Sequence, residues 1–411
     1  MQLKPLHTLL ALGLTASAFG DTWVIDDDPG PGVDFPDIPQ AIAASHSGDV
    51  LLIRPGAYSA FTLSKGLTLL GSKGATVASG ARIQSMPARQ TAILTDLTLD
   101  NLLIKACDGP ILLDRIKFKT LGTKGNRLWI DNSLDVRVHR TSATSRDAWY
   151  TAALVVSSRV EFVECTFRGG REYDDNGEAG GPAMRINQSR VHFALPNIVG
   201  GRGDDNWTTC GFPNSDAGDG GPGCKAAGSE LFVSGRQSDR IKGGFAGYGE
   251  QMPCDGYGGD GITMCGGSVL YHQGIPAGGD SDGGGSGYAV NLDCGATGSS
   301  PSWAAPSLQR TGADNETRIV IHGAPGGSVR LYGGSEAIVQ NTAPSKIEWL
   351  TRTQWVKDLG TLNSKGTMTY TFDGPHRMKR DSKGAHLVLQ VTVVDPSGVT
   401  QRSNSLPVIL R

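Results

Sequence analysis

Residues 38–71, with the sequence IPQAIAASHSGDVLLIRPGAYSAFTLSKGLTLLG, decide the fold of this chain. They begin with a predicted short amphipathic helix that starts near Asp37 and places four apolar residues on one face, namely Ile38, Ala41, Ile42 and Ala44. Short apolar runs follow at close spacing and predict strands, namely Val50 to Ile53, Phe61 to Leu63 and Leu67 to Leu70. Because this spacing leaves no room for helices between the strands, a doubly wound α/β fold is excluded.

This stretch resembles the entry segment of the pectate-lyase-like group of right-handed parallel β-helix proteins. In that group a short helix caps the open end of the coil, and the first turns carry a recurrent pattern, matched here by Gly48, Asp49, Ile53, Pro55, Gly56 and Tyr58. The resemblance implies an all-β fold, with a right-handed parallel β-helix over residues 21–298 and an N-terminal capping helix. It points to no specific enzyme family, because the matched positions belong to the fold and not to a catalytic motif.

Four later segments repeat one pattern of a serine, an apolar alternation and a Gly-Gly pair. They are SRVEFVECTFRGG (158–170), SRVHFALPNIVGG (189–201), SELFVSGRQSDRIKGG (229–244) and SVLYHQGIPAGG (268–279). Aligning Val160, Val191, Leu231 and Val269 gives periods of 31, 40 and 38 residues, which indicate a repeat architecture. These periods are long for a simple coil, so each turn is expected to carry an inserted glycine-rich loop.

The composition limits the class of protein. The chain has 411 residues, 58 of them glycine, with 38 Lys+Arg against 40 Asp+Glu. This balance provides no basic face, so no nucleic-acid partner is expected. Residues 1–20 are typical of an export signal, with Lys4, an apolar run and the small-residue motif Ala16-Ser17-Ala18. The run is too short to span a bilayer, which predicts a secreted or cell-surface protein without a transmembrane segment after signal cleavage.

The composition changes again near residue 299. Residues 299–317 are rich in Ser, Pro and polar residues and predict a linker. Residues 318–411 contain alternating apolar runs separated by turns, which predict a small antiparallel β-sandwich. This part resembles C-terminal modules that are appended to secreted bacterial proteins.

The chain has seven cysteines, and export makes disulfides possible. Two local pairs flank short glycine-rich stretches and predict disulfide-closed loops, namely Cys210 with Cys224 and Cys254 with Cys265. Cys107 and Cys165 lie in apolar runs, so they are expected either as buried thiols or as a bridge between neighbouring strands. Cys294 is expected to remain unpaired.

Catalytic signatures of the polysaccharide-active members of the resembled group are incomplete. Gly203-Asp204-Asp205 and Arg240-Ile241-Lys242 are similar to parts of the polygalacturonase set, but its N-x-D and G-H-G motifs are missing from the required positions. Glycoside hydrolysis also needs a second acid at a set distance. Trp129-Ile130-Asp131 is similar to a calcium-binding motif of pectate lyases. In those lyases a histidine follows the motif and a pair of arginines accompanies it, and this sequence has neither. The simpler interpretation of this stretch is a strand with Leu128 and Ile130 inside and Trp129 on the surface.

A mixed-charge loop between two of the repeats is the strongest remaining candidate for chemistry. A polysaccharide lyase needs a cation to neutralise the substrate carboxylate and a base such as Arg or Lys. The candidates are Arg168, Arg171, Asp174 and Asp175 of this loop, together with the paired aspartates Asp204 and Asp205 that follow the next repeat. The alternative is a solvated turn whose ion pairs contribute little.

Calcium is the one cofactor that the sequence raises. Asp280 and Asp282 in GGDSDGGGSG (278–287) offer oxygen ligands for a structural ion, although the calcium-binding nonapeptide motif is not met. Two functions follow from the sequence. The first is a non-catalytic extracellular protein whose repeat loops form a face for a glycan or another partner. The alternative is a polysaccharide-active enzyme, a lyase before a hydrolase, with its site near residues 168–205; the incomplete signatures favour the first.

Overall fold

The structure is a computed structural model of residues 1–411. It describes residues 20–119, 125–171, 178–205, 217–235, 240–248, 256–272, 276–281, 285–299, 307–311, 317–334, 337–343, 346–351, 355–372, 386–403 and 406–409. The predicted export signal lies outside the described residues except for its last residue. Within the described ranges, α1 (Ile38–Ala44) is the single helix, and nearly all other regular structure is β-strand.

Three long parallel sheets, named A, B and C, form the N-terminal coil, and successive strands visit them in that order. With strands numbered along the chain, sheet A contains β1 (Thr22–Ile25), β2 (Val50–Ile53), β5 (Thr68–Gly71), β8 (Ala92–Thr95), β11 (Ile111–Asp114), β14 (Val136–His139), β17 (Arg159–Val163), β20 (Arg190–Ala194), β23 (Glu230–Ser234), β26 (Val269–His272) and β29 (Thr297–Ser299). Sheet B contains β3 (Gly56–Tyr58), β6 (Ala75–Val77), β9 (Thr98–Leu99), β12 (Lys117–Phe118), β15 (Ser142–Thr144), β18 (Thr166–Arg168), β21 (Asn197–Val199), β24 (Arg240–Lys242) and β27 (Pro276–Ala277). Sheet C contains β4 (Thr62–Leu63), β7 (Ala81–Gln84), β10 (Leu102–Lys105), β13 (Leu128–Asp131), β16 (Ala153–Val156), β19 (Met184–Asn187), β22 (Cys224–Ala227), β25 (Ile262–Cys265) and β28 (Val290–Leu292).

Inward side chains stack in register from one turn of the coil to the next. In sheet A, Leu113 pairs with Leu94 on one side and Val138 on the other, and all three are buried. Further along, Phe162 stacks on Phe193 with ring centroids 5.6 Å apart. Since alternate residues of a strand point to opposite faces, these ladders build one continuous core inside the coil. The parallel β-helix predicted from the sequence is confirmed.

The helix α1 begins as predicted but buries a narrower face. Asp37 is its N-cap, and the Asp37 carboxylate accepts a 2.8 Å hydrogen bond from the amide of Ile38. Ile38, Ala41 and Ile42 are buried in the coil core, as predicted. Ala44, which the sequence placed on the same face, is exposed, because the helix ends there and the chain turns at Ser45.

A ladder of buried serines explains why serine opens each repeat. Each hydroxyl donates to the carbonyl two or three residues before it and accepts a hydrogen bond of 3.0–3.3 Å from an amide one turn earlier; the serines are Ser133, Ser158, Ser189, Ser229 and Ser268. The hydroxyls thus satisfy backbone amides at the corner from sheet C to sheet A, where strand pairing is interrupted.

Strand register corrects the last row of the sequence alignment. Val160 pairs with Val191 and Val191 with Leu231, as predicted. Leu231 pairs with Leu270, and not with Val269. Val269 and Leu270, which follow Ser268, are both apolar, so apolar character alone does not show which of them aligns with Leu231. The serine ladder sets the register, and Leu270, two residues after Ser268, takes that position.

Over five successive turns of the coil, two tight corners use non-glycine residues in the left-handed region. Between sheets A and B these are Asp96, Arg115, Arg140, Glu164 and Leu195, with φ from 46° to 58°. Between sheets C and A they are Ser85, Ala106, Asn132, Ser157 and Gln188, with φ from 45° to 53°. Such residues cost about 1–2 kcal/mol each, and ion pairs across the first corner offset part of this. The guanidinium of Arg115 donates to the carboxylate of Asp96, and Arg140 donates to Asp114 at 2.6 Å.

The C-terminal part is antiparallel and has its own core. One sheet contains β30 (Ser307–Thr311), β31 (Thr317–His322) and β36 (Thr367–Phe372), and the other β35 (Trp355–Thr361), β32 (Ser328–Gly334), β37 (His386–Val394), β38 (Thr400–Arg402) and β39 (Leu406–Ile409). A hairpin pairs β33 (Ala337–Ala343) with β34 (Lys346–Thr351). Ile319 and Ile321 of the first sheet pack against Leu331 and Val391 of the second. Strand β30 lies inside the range predicted as a linker.

Candidate binding surface

The long insertions all leave the coil at one corner, between the end of a sheet B strand and the start of the next sheet C strand. They comprise residues 169–183, 200–223, 243–261 and 278–289. In each insertion the structure describes an outgoing segment and a returning segment. The outgoing segments are 169–171, 200–205, 243–248 and 278–281, and the returning segments are 178–183, 217–223, 256–261 and 285–289.

Backbone hydrogen bonds join these segments into two layers. Outgoing segments bond to one another, as from the amide of Gly203 to the carbonyl of Phe245 at 3.0 Å. Returning segments do the same, as from Gly220 to Tyr257 at 2.8 Å. The layers are joined by bonds such as Gly244 amide to Gly221 carbonyl at 2.7 Å. We call this two-layer assembly of outgoing and returning segments the glycine bundle.

Glycine is required in this bundle because the backbones lie too close for a side chain. A Cβ built on Gly201 would lie 1.9 Å from the carbonyl oxygen of Gly170, and one on Gly244 would lie 1.8 Å from that of Gly201. Several of these glycines are three residues apart, as in Gly244 and Gly247. A repeat of three matches extended chains of the polyproline II type, which pack closely only when glycine faces the crowded side. The Gly-Gly pairs seen in the sequence therefore mark contacts between backbones.

The bundle exposes large aromatic side chains. Phe245 and Tyr248, three residues apart on one outgoing segment, are 50% and 45% exposed. Tyr257 and Tyr288, on returning segments, are 63% and 70% exposed. The backbone beneath them is anchored by carboxylates, since the amide of Tyr257 donates to Asp219 at 2.7 Å. Several exposed aromatic side chains on one surface are typical of an interaction site, whereas a single exposed ring is ordinary. Sequence reasoning missed these four residues because it treated the insertions as polar loops.

Charged groups flank the aromatic rings on the outgoing layer. The guanidinium of Arg202 lies 4.8 Å from the ring centroid of Tyr248, and the ammonium of Lys242 lies 4.8 Å from that of Phe245. Both cations are paired, Arg202 with Asp205 at 2.6 Å and Lys242 with Asp280 at 2.5 Å. The surface around the rings is therefore close to neutral.

The structure brings together part of the predicted catalytic set. The guanidinium of Arg171 donates to Asp204 at 3.0 Å and to Asp205 at 3.1 Å, which joins the first insertion to the second. Arg168 lies exposed at the end of β18. The remaining two predicted residues, Asp174 and Asp175, lie outside the described residues.

This cluster is held by its own ion pairs. Asp204 is fully buried, and Asp205 also accepts hydrogen bonds from Arg202 and from the amide of Tyr248. Burial lowers the pKa of Arg171, but its hydrogen bonds and the charges of both aspartates outweigh burial and raise that pKa above its usual value. An arginine that acts as a base must lose its proton. The geometry therefore gives Arg171 the role of a cross-link between insertions.

A buried polar network on the outer side of sheet A was not predicted. Arg137, Glu161 and His192 occupy successive positions of one ladder, and Nδ1 of His192 lies 3.4 Å from Oε1 of Glu161. Burial raises the pKa of Glu161, but the hydrogen bond and charge of His192 and other cations lower it overall. Burial also lowers the pKa of neighbouring His139 to about 4. Since Glu161 and His139 are at most 1% exposed, a substrate cannot reach them in this structure, and their role is internal.

The corner with the serine ladder carries a shallow polar groove of about 420 Å³. It is lined by Leu134, Ser157, Ser158, Arg159, Gln188, Ser189, Arg190, Gly228 and Glu230. Nε of Arg190 donates to Glu230 at 2.7 Å, so these opposite charges satisfy each other. The groove is polar and open, whereas ligand sites are mostly concave and apolar.

The structure describes one cysteine of each predicted pair. Cys224 is a free thiol, fully buried in β22, and burial raises its pKa to about 12. Cys265, the last residue of β25, is also a free thiol. Because Cys210 and Cys254 lie outside the described residues, both bridges stay predictions. Both cysteines of the apolar runs, Cys107 and Cys165, are buried free thiols, one of the two states expected for them.

The predicted calcium ligands do not form a cluster among the described residues. Asp280 is paired with Lys242, and Asp282 lies outside the described residues. Within the described part of the chain, Asp26, Asp27 and Asp28 form the one group with metal-compatible spacing. Arg54 already binds Asp26, and the amide of Ala57 donates to Asp27.

No family model matches this chain, and no curated protein matches it. Fold and surface together define it as a parallel β-helix protein with a glycine bundle. In the part that the structure describes, no helix is long and apolar enough to cross a membrane.

Proposed function

We propose that this protein is a secreted or cell-surface, non-catalytic binding protein whose glycine bundle presents aromatic rings to a polysaccharide. The observation that carries the proposal is the exposed pair Phe245 and Tyr248 on one hydrogen-bonded segment. Flat aromatic faces stack on the C–H faces of sugar rings. Because the backbone is held on several sides, little conformational entropy is lost on binding.

The charge around the rings favours a neutral polysaccharide over an acidic one. An acidic sugar needs a cation that is free to pair with its carboxylate. On the outgoing layer Arg202 and Lys242 are already bound by Asp205 and Asp280. These pairs also hold the cations over the rings, which orients the aromatic faces.

The entry segment at residues 38–71 supports an extracellular setting for this proposal, because it resembles the pectate-lyase-like group. That group includes many proteins that contact polysaccharides. A fold does not by itself assign an activity, so the proposal rests on the surface. The alternative enzyme needs a free base near Arg171, and the ion pairs of that residue with Asp204 and Asp205 favour a structural role instead.

Affinity electrophoresis in gels that contain neutral or acidic polysaccharides tests the proposal. The double variant Phe245→Ala/Tyr248→Ala is expected to bind at least about tenfold more weakly, since each ring contributes about 1 kcal/mol. The double variant Tyr257→Ala/Tyr288→Ala tests whether the aromatic rings of the returning layer contribute to polysaccharide binding. Trp129→Ala is the matched control, because Trp129 is 40% exposed but lies on sheet C, outside the bundle.

Three outcomes would contradict the proposal. The first is that no polysaccharide of the panel retards the wild type. The second is that both double variants are retarded as strongly as the wild type on every polysaccharide that retards it. The third is release of unsaturated or reducing sugar products by the wild type, which would indicate an enzyme.

A further inference from the structure

Cysteines lie side by side where the coil ends. Strand β28 pairs in parallel with β25, from Ile262 opposite Val290 to Met264 opposite Leu292. The pairing continues one residue further, because the amide of Asp293 donates to the carbonyl of Met264 at 2.8 Å. Cys265 is the last residue of β25, and Cys294 follows directly after this bond. The register therefore places the two cysteines diagonally across neighbouring strands.

Their side chains are neighbours that solvent reaches. The interaction with the Cys265 side chain is the main reason why the pKa of Cys294 is raised to about 11. Cys294 is exposed and Cys265 is half-buried. Cys107, Cys165 and Cys224 are buried. Among the described cysteines, this pair is thus the one that combines proximity with access to an oxidant.

We propose that Cys265 and Cys294 form a disulfide bond that closes the last two turns of the coil. The oxidant is a small disulfide such as oxidised glutathione, or a disulfide-donating oxidoreductase. One thiolate attacks the oxidant disulfide and forms a mixed disulfide; the second thiolate displaces the remaining thiol. The two cysteine thiols lose two electrons and two protons, and the oxidant disulfide becomes two thiols.

The position gives the bond a structural purpose. Among the described strands, β28 is the last of sheet C and has a neighbour on one side, β25. Its side chains are poorly buried, with Leu292 largely exposed. An open edge of this kind frays easily and invites pairing with other chains. A covalent link from β25 to the residue after β28 holds this edge in place.

The bond is distinct from the Cys254–Cys265 pairing that the sequence suggested, because one sulfur atom forms only one disulfide. Its test is peptide mapping, which involves no polysaccharide. Failure of either proposal leaves the other intact.

Peptide mapping by mass spectrometry tests the bond directly. The full-length protein is exposed to oxidised glutathione, alkylated without reduction and digested. We expect a linked peptide containing Cys265 and Cys294. A Cys265–Cys254 peptide, or alkylation of both Cys265 and Cys294, would overturn the proposal.

Hydrogen exchange tests the structural purpose. Amides of residues 290–294 should exchange at least about tenfold faster after reduction of the wild type. With or without reductant, these amides of the Cys294→Ser variant should exchange as fast as those of the chemically reduced wild type. Reduced wild type provides the same comparison if Cys294→Ser fails to fold. Equal exchange in oxidised and reduced wild type would show that the bond does not hold the edge.

Discussion

Replacing Gly244 with alanine tests the glycine bundle at its centre. A Cβ at this position would lie 1.8 Å from the carbonyl oxygen of Gly201 and 2.5 Å from its carbonyl carbon. Real Cβ contacts stay above 3.0 Å, so a backbone must move by more than 1 Å. The atoms that the added Cβ would meet belong to the backbone of Gly200 and Gly201, so no flexible side chain can move out of its way.

The cost follows from the hydrogen bonds that such a shift breaks. The Gly244 amide donates to Gly221 at 2.7 Å, and the Gly244 carbonyl accepts from Gly259 at 3.0 Å. Each buried group left without a partner costs about 1–3 kcal/mol. Alanine restricts the unfolded chain and returns about 0.4–1 kcal/mol. The net expected loss of local stability is about 3 kcal/mol.

Hydrogen exchange of the insertion amides measures this loss. Since 1.4 kcal/mol corresponds to a factor of ten, amides of residues 200–205, 217–223 and 256–261 should exchange about 100-fold faster in Gly244→Ala. Gly30→Ala is the control, because a Cβ there meets nothing within 4 Å. If Gly244→Ala exchanges at the rates of Gly30→Ala, the segments are not packed backbone against backbone, and the bundle is refuted.

Three further perturbations test other parts of the structure. Ser189→Ala removes a buried hydroxyl that bridges two turns of the coil. It should destabilise the protein by about 1–3 kcal/mol, measured by urea unfolding. An unchanged unfolding midpoint would show that the serine ladder does not stabilise the coil. Because burial lowers the pKa of His139 to about 4 from 6.5, the unfolded state takes up its proton first as pH falls; stability present above pH 6.5 should decline by about 3 kcal/mol towards pH 4. That decline should be weaker in His139→Asn, and an equal pH slope in the two proteins would contradict the assignment. Arg171→Ala leaves the buried Asp204 carboxylate without its cation and should lower the free energy of unfolding by about 3–5 kcal/mol. The control is Arg168→Ala, which removes an exposed arginine and should change this free energy by less than about 0.5 kcal/mol. Equal effects of the two variants would argue against the cross-link.

Local pattern was sufficient for the coil. The helix at residues 38–44 was predicted because an N-cap and an apolar face are properties of adjacent residues. The strands were predicted because side chains alternate between core and solvent within a few residues. Ser189 and its equivalents also marked the repeat correctly, although the sequence did not reveal that their hydroxyls bond to amides one turn away.

The candidate surface was only partly visible in the sequence. The Gly-Gly pairs and the insertions were recognised, and Asp204 and Asp205 were singled out. Exposure of Phe245 and Tyr248 was not foreseen, because aromatic residues between glycines fit a buried turn as well as a displayed surface. Polar ladders such as Arg137–Glu161–His192 were also missed, since outward charges on a strand are usually solvated.

Local sequence patterns specify the elements of this protein, namely a capped helix, short alternating strands, serine corners and glycine-rich insertions. Which of these elements meet follows from the folded coil. The insertions differ in length, so the spacing of Gly201, Gly221 and Gly244 along the chain does not reveal that their backbones bond to one another. For the same reason the sequence did not reveal that strand register places Cys294 beside Cys265. Contacts of this kind depend on how many residues each turn of the coil contains, and no local pattern records that number.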